Sequence, residues 1–403
     1  MVVEFEEAIQ IVLERGAGER ARKTERVGLL EALGRVLAEG VRADRDQPGF
    51  DRSTRDGFAV RASDWIAGAT LRVEGQVRAG EAWSGGLVEA GSAVEIMTGA
   101  PLPEGADAVV MVEHVVRGDG TVAPGDARVL EVGVNVVPRG SEASAREEVL
   151  RAGTVMGAAE IALAATCGSA ELTVYERPGV AIVSTGDELV EVTQRPGAQQ
   201  IRNSNSYAIA AMVTAAGGRP ERLAIARDVR EEIRARVVEG RRAELLVFSG
   251  GVSMGEYDLV EEVLAEFGAE FFFTGVKMQP GRPVVFGRLP GREGARECYF
   301  FGLPGNPIST QVTFHCFAEL MVRALAGEQS VGPRWAQATL SEGASGKPGL
   351  TRLLPARRDG VAVRVVGWQG SGDLAANARA NSYAELLPGR EYAEGEVIRV
   401  LLR

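Results

Sequence analysis

Between residue 178 and about residue 309 the chain alternates short apolar runs with helical periods, and this rhythm restricts the fold more than any other feature. Residues 179–183 (Gly-Val-Ala-Ile-Val) form a continuous apolar run, the pattern of a strand buried on both faces. A helical period follows at 207–216, a strand at 223–225, a helix at 230–240 and a third strand at 245–248. Residues 259–267 are again helical in pattern, strands are predicted at 284–286 and 299–301, and a helix opens near Ser309. Parallel strands need a crossover, and a helix is the usual one, so the alternation implies a parallel sheet with helices on both faces.

The flanking segments read differently. The first 45 residues predict two helices, the second carried by Leu29, Leu30, Leu33, Val36 and Leu37, with Gly40 as its stop. From about Gln47 to Gly140 short Val- and Ala-rich stretches are broken by turn signals such as Gly118-Asp119-Gly120 and Pro124-Gly125-Asp126, which suits a small β-rich domain. Helical pattern returns at 157–167, and the end of the chain, from about Val331 to Arg403, is Gly-rich and strand-like.

Composition removes several classes of function. A net charge of −10 without a basic stripe argues against nucleic acid as partner. No apolar run approaches the ~18 residues that cross a bilayer. Glu4, Glu6 and Glu7 interrupt the apolar residues of the first 13, unlike a signal peptide, so the expected location is the cytoplasm. Cys167, Cys298, Cys316, His114 and His315 make neither a disulfide framework nor a zinc set, and no cysteine is paired with a base. Gly-x-x-x-x-Gly-Lys-Ser/Thr and Gly-x-Gly-x-x-Gly are both missing, which excludes an ordinary NTPase and a dinucleotide dehydrogenase.

In an open parallel sheet, ligands bind beyond the carboxyl ends of the strands. Three loops fall there: Ser184-Thr185-Gly186-Asp187-Glu188, the stretch from Ser249-Gly250-Gly251 through Ser253 to Asp258, and Gly302-Leu303-Pro304-Gly305-Asn306-Pro307. Glycine lets backbone N–H groups approach an anion, and a helix N-terminus adds partial positive charge. One such loop reads equally well as a turn with an N-cap; three on one sheet edge point to a ligand. Asp187, Glu188, Asp228 and Asp258 also lie at or after strand ends. Clustered acids beside a phosphate call for a cation, and Mg²⁺ suits carboxylate, water and phosphate oxygens. Asp258, just ahead of a helix, is equally placed to be its N-cap. Lys277, Arg282 and Arg202 are the cations available to an anionic ligand.

In this order the loops resemble the molybdopterin molybdenumtransferases, the family of the bacterial MoeA proteins and the gephyrin E domain. The resemblance spans nearly the whole chain. It opens at Pro48-Gly49-Phe50-Asp51-Arg52-Ser53-Thr54-Arg55-Asp56-Gly57-Phe58-Ala59 and continues at Ile96-Met97-Thr98-Gly99-Ala100-Pro101-Leu102-Pro103. Residues 184–189, 249–258, Pro280-Gly281-Arg282-Pro283, 302–307 and Gly370-Ser371-Gly372-Asp373-Leu374 complete the set.

The resemblance implies a multi-domain α/β protein. Its parts are a helical linker domain of an elongated arm (1–46 and 141–177), a β-rich arm domain (47–140), a MogA-like molybdopterin-binding α/β domain (178–326) and a small C-terminal β-domain (327–403). The first ~25 residues are free to pack with the sheet domain under this division. The implied reaction is Mg²⁺-dependent insertion of molybdate into adenylylated molybdopterin, with release of AMP to give molybdenum cofactor. The implied assembly is a homodimer whose active site lies between the sheet domain of one subunit and the β-arm of the other, with molybdopterin adenylyltransferase as upstream donor. Carried onto this chain, Asp228, Asp258, Asp56 and Glu188 are the catalytic set, and Asp228 and Asp258 hold the metal. Thr98, Thr185, Gly186, Asp187, Ser249, Gly250, Gly251, Ser253, Lys277, Arg282, Pro304, Asn306 and Pro307 bind substrate, and Asn306, in a loop stiffened by the two prolines, is suited to holding a small oxyanion. The chain departs from the family at Gln279, where a lysine is common, at Glu142, where aspartate is common, and in the stretch Leu350-Thr351-Arg352-Leu353-Leu354-Pro355. Two rivals remain at this point. One is an adenylyltransferase built on the same sheet domain, which has no need of the β-arm; the other is a gephyrin-like scaffold.

Overall fold

The computed structural model describes residues 1–18, 23–251, 259–291 and 297–403. At its centre is a six-stranded sheet formed by β1 (Gly179–Ser184), β2 (Arg219–Arg222), β3 (Leu245–Ser249), β4 (Glu270–Phe273), β5 (Val285–Leu289) and β6 (Cys298–Leu303), in the order β2-β1-β3-β6-β5-β4. The helices α1 (Asn205–Ala215), α2 (Arg230–Gly240) and α3 (Leu259–Glu266) supply the crossovers.

The sheet is parallel only through β2, β1, β3 and β6; β5 runs antiparallel to β6, and β4 antiparallel to β5. Between β4 and β6 no helix intervenes among the described residues, as antiparallel neighbours allow. The parallel sheet expected from the alternation thus forms at β2, β1, β3 and β6, and an antiparallel edge of β5 and β4 adds to it. β2 also begins earlier than the predicted 223–225, because its Arg-Pro-Glu-Arg sequence at the sheet edge carries no apolar run.

Side chains alternate between the two faces, as the pleat requires. Val180, Ile182, Leu245 and Val247 face one core with Ile209 and Val213 of α1. Ala181, Val183, Leu246 and Phe248 face the other, with Ile233 and Val237 of α2 and Val260 and Val263 of α3. The helix Phe5–Gly16 lays Phe5, Ala8, Ile9 and Val12 into the first of these cores, and Val2–Val3 pairs in parallel with Gly275–Val276. The start of the chain thus packs on the sheet domain.

The second N-terminal helix does not form. Thr24–Gly28 is a strand paired with Glu171–Tyr175, and residues 29–34 make turns with Leu30 and Leu33 exposed. Gly34 adopts a φ of 70° and donates to the Met156 carbonyl at 2.8 Å, while Leu37 donates to Thr154 at 2.9 Å. Partners distant in sequence take the backbone groups that a helix needs, so the apolar spacing there is accidental. The later helical segment does form, at Ala158–Thr166.

The arm carries a six-stranded sheet ordered Ala108–Met111, Gly57–Val60, Ser92–Ile96, Leu71–Val77, Thr121–Pro124, Val115–Arg117. The C-terminal part is a small closed barrel: Thr351–Asp359, Ala362–Val365, Trp335–Leu340, Val397–Leu402 and Ser382–Leu386 pair in turn, and the last pairs back onto the first. Among the contacts that fix this barrel to the sheet domain are a strand pairing and a side-chain hydrogen bond. Met278–Gln279 joins its edge beside Thr351 and Arg352, and Asn377 Nδ2 donates to Gln311 Oε1 at 2.8 Å. Among the described residues no helix is long and apolar enough to cross a membrane.

Candidate active site

The carboxyl ends of the parallel strands are held level. Ser184 at the end of β1 is the register partner of Ser249 at the end of β3, which is in turn the partner of Leu303 at the end of β6. The backbone pairing runs on into the loops: Thr185 donates to Ser249 O at 3.0 Å, Gly250 to Leu303 O at 3.1 Å and Gly186 to Ala226 O at 3.1 Å. Above this edge opens a cleft of about 840 Å³.

Most of the residues singled out from the sequence line it. Thr185, Gly186, Glu188, Asp228, Ser249, Gly250, Gly251, Pro304, Asn306 and Pro307 all face the cleft. The glycines at its floor are dictated by space. Gly250 has a φ of 95°, and a Cβ there would lie 2.6 Å from the Thr185 carbonyl oxygen. Gly251 has a φ of 65°, and its Cβ would lie 2.7 Å from Thr185 Oγ1. Thr185 is buried, and its Oγ1 has no hydrogen-bond partner among the described residues. A buried hydroxyl without a partner carries a desolvation penalty that a ligand relieves. On the opposite wall Thr310 Oγ1 donates to Pro304 O at 2.6 Å, and Pro307 opens the helix Pro307–Thr313, stiffening the loop that carries Asn306.

The electrostatics are uneven. Partial burial, followed by the charges of Asp187 and Glu188, raises the Asp228 carboxyl above its ordinary value, against a smaller lowering by a backbone hydrogen bond with Asp187. The Asp228 N–H donates to Asp187 Oδ1 at 3.3 Å. Asp187 itself faces an adjoining pocket of about 570 Å³ with Arg195, Arg227 and Glu232. Among the described residues no three acidic, histidine or cysteine side chains come together as a metal cluster.

Other expected residues lie elsewhere. Lys277 Nζ pairs with Glu4 Oε1 at 2.5 Å and does not line the cleft. Arg282 is exposed outside it, and its neighbour Pro283 forms part of the wall instead. Arg202 is the basic side chain that lines the cleft among the described residues, with Nε donating to Val192 O and Gln194 O, each at 3.1 Å. Asp56 and Thr98 sit together on the arm: Asp56 Oδ1 accepts from the Thr98 backbone at 2.7 Å and from its hydroxyl at 2.8 Å, and these two bonds lower the Asp56 pKa. Neither lines the cleft of its own chain. Ser253 and Asp258 lie outside the described residues.

The structure adds Asn203, Ser204 and Asn205, which lead into α1, and Gly372 and Leu374 from the C-terminal domain. An Asn-Ser-Asn run just ahead of a helical period is a capping signal that the sequence displays openly. No local signal brings Leu374 to the cleft; the docking of the barrel does. The three cysteines are buried and unbonded, and burial pushes Cys298 up to about 12, which leaves it inert.

Comparison with known proteins covers the same ground. Residues 3–168 match the MoeA N-terminal region (domain I and II), residues 181–324 the probable molybdopterin binding domain, and residues 337–402 the MoeA C-terminal region (domain IV). The chain is 32% identical to a molybdopterin molybdenumtransferase of Staphylococcus aureus over 392 residues, covering 93% of this chain and 90% of that protein. A Nostoc protein of the same name is 36% identical over 310 residues, covering 75% of this chain and 70% of its own length. The crystal structure of a molybdopterin biosynthesis moeA protein from Pyrococcus horikoshii aligns over 100% of both chains with a TM-score of 0.80 at 26% identity.

Proposed function

Because this chain belongs to the MoeA family of molybdopterin molybdenumtransferases, we propose that it transfers molybdenum into molybdopterin, and that the form it accepts is adenylylated, with AMP as the leaving product. The observation that carries this reading is the cleft at the sheet edge, where the orphaned Thr185 hydroxyl and the glycine turn share one volume with the Glu188 and Asp228 carboxylates. Cleaving a phosphoanhydride needs the phosphates held and their charge balanced more than it needs a strong nucleophile, since water or a molybdate oxygen can attack. Thr185 and Ser249 supply hydroxyl donors, and Asn306 sits on a stiffened loop suited to a small oxyanion.

The carboxylates fit a magnesium ion. Asp228 carries the added repulsion of Asp187 and Glu188, and a hard cation takes its remaining oxygens from phosphate and water. Asp228 is the described residue that would hold it, with Asp258 as the expected second ligand. When bound, the ion supplies charge neutralisation at the phosphates. Asp228 would hold the ion, and Glu188 is the second described carboxylate of the cleft.

The proposed working unit is a homodimer in the cytoplasm that receives substrate from a molybdopterin adenylyltransferase, with Asp56 and Thr98 completing the cleft of the partner subunit. The pair is presented on the arm, away from the cleft of its own chain, which supports action in trans. Mixing inactive Asp56→Ala with inactive Asp228→Ala is then expected to restore roughly a quarter of wild-type turnover, because half the dimers are mixed and each holds one intact site. Verified heterodimers without recovered activity would place the two residues in one chain's own site.

The function itself is tested by incubating the protein with adenylylated molybdopterin and molybdate. AMP and molybdenum-loaded pterin should appear together, each dependent on molybdate. Formation of adenylylated pterin from ATP and molybdopterin, without molybdate, would assign the adenylyltransferase reaction instead.

A further inference from the structure

We propose that Asn205 is a positioning residue of the cleft, which sets the direction in which the Ser249 hydroxyl donates. The inference rests on the reading of the cleft as a phosphate site. Asn205 is the first residue of α1, and its Nδ2 lies 2.7 Å from the Gly305 carbonyl and 2.9 Å from Ser249 Oγ. A carbonyl only accepts, so the atom facing Gly305 is the amide nitrogen, and the orientation of the side chain follows from the chemistry. Its second hydrogen therefore goes to Ser249 Oγ, which accepts it.

Ser249 is buried at 2% exposure and lines the cleft. With its oxygen occupied as an acceptor by Asn205, its own proton has to point elsewhere, and the open direction is the cleft. Thr185 Oγ1, across the glycine turn, is a second hydroxyl without a partner among the described residues. Two hydroxyl donors thus face one volume, and Asn205 fixes the rotor of one of them before a ligand arrives.

The same amide ties together two loops from different strands, because Gly305 follows β6 and Ser249 ends β3. Asn203, two residues earlier and buried at 3% exposure, does the matching work on β1: its Oδ1 accepts from Ser184 Oγ at 3.0 Å and from the Ser206 N–H at 3.2 Å. Asn203 meets no donor in the cleft through these bonds; it caps α1. The positioning of a ligand-facing proton falls to Asn205 alone of the two.

The test is a double-mutant cycle read as AMP affinity, alongside KM and kcat for AMP release. Asn205→Ala is expected to weaken AMP about fivefold in the wild-type background, the scale of one ordinary hydrogen bond. In a Ser249→Ala background the same change should weaken it less than twofold, with KM moving more than kcat in both cases. Asn205→Asp keeps the shape but can only accept, so it turns the Ser249 proton away from the cleft and should weaken AMP more than Asn205→Ala. It also serves as the variant of choice if the alanine form melts early. Equal factors in the two backgrounds, or an aspartate variant no weaker than the alanine one, would reduce Asn205 to a loop clamp and overturn the inference. A wild-type protein that binds no AMP would overturn the functional reading, and this inference with it.

Discussion

Replacing Asp228 by asparagine is expected to lower AMP release about 100- to 1,000-fold while leaving the protein at least as stable as before. The two effects have one cause. The Asp228 carboxyl is raised above its ordinary value, first by partial burial and then by Asp187 and Glu188. An acid whose pKa rises on folding opposes the fold once the pH exceeds its ordinary value, because the native state then holds a charge it would rather shed. Asparagine keeps the shape and removes that charge, so the midpoint of thermal unfolding at neutral pH should hold or rise. The backbone N–H that donates to Asp187 is untouched by the change. A carboxylate retained against stability is the mark of a functional group. Turnover within twofold of wild type would remove Asp228 from the reaction.

Gly250→Ala is expected to reduce AMP release to below about 1% of wild type, since an ångström of misplacement in a positioning site costs about 10²-fold. Its φ of 95° disfavours any side chain, at a cost of about 1–3 kcal/mol. The new Cβ also meets the Thr185 carbonyl oxygen at 2.6 Å. That oxygen belongs to a backbone whose N–H is already fixed to Ser249, so it cannot retreat without opening the sheet edge. A control is Gly332→Ala, where a Cβ meets nothing within 4 Å; its unfolding midpoint and turnover should match wild type. Equal activity of the two variants would show that the floor of the cleft yields where the geometry says it is fixed.

Much of the sheet domain was legible because its signals are local. The run at β1, the helical period at α2 and the glycine loops after β1, β3 and β6 each announce themselves within a few residues. The antiparallel end was not, because Phe271, Phe272 and Phe273 of β4 carry no sign of which neighbour they pair with. Residues 29–37 failed for the complementary reason: their spacing is helical, but Met156 and Thr154 claim their backbone groups from over a hundred residues away. The cleft divides in the same way. Thr185, Ser249 and Asn306 follow from their loops, whereas Leu374 and the withdrawal of Lys277 toward Glu4 depend on how distant segments dock. Those contacts belong to tertiary packing, and no window of sequence contains both partners.

The docking of the first helix carries a consequence for biosynthesis. Val2 and Val3 pair with Gly275 and Val276, and Glu6 forms an ion pair with Arg399 at 2.5 Å. On the ribosome the apolar stripe of Phe5, Ala8 and Val12 leaves the exit tunnel long before either partner has been translated. It waits through the making of the arm until the sheet domain that buries it has been translated, and Glu6 waits further for Arg399. Contacts of such long range form late and slow the approach to the native state. The core of the sheet domain is therefore completed by a helix translated well before its strands.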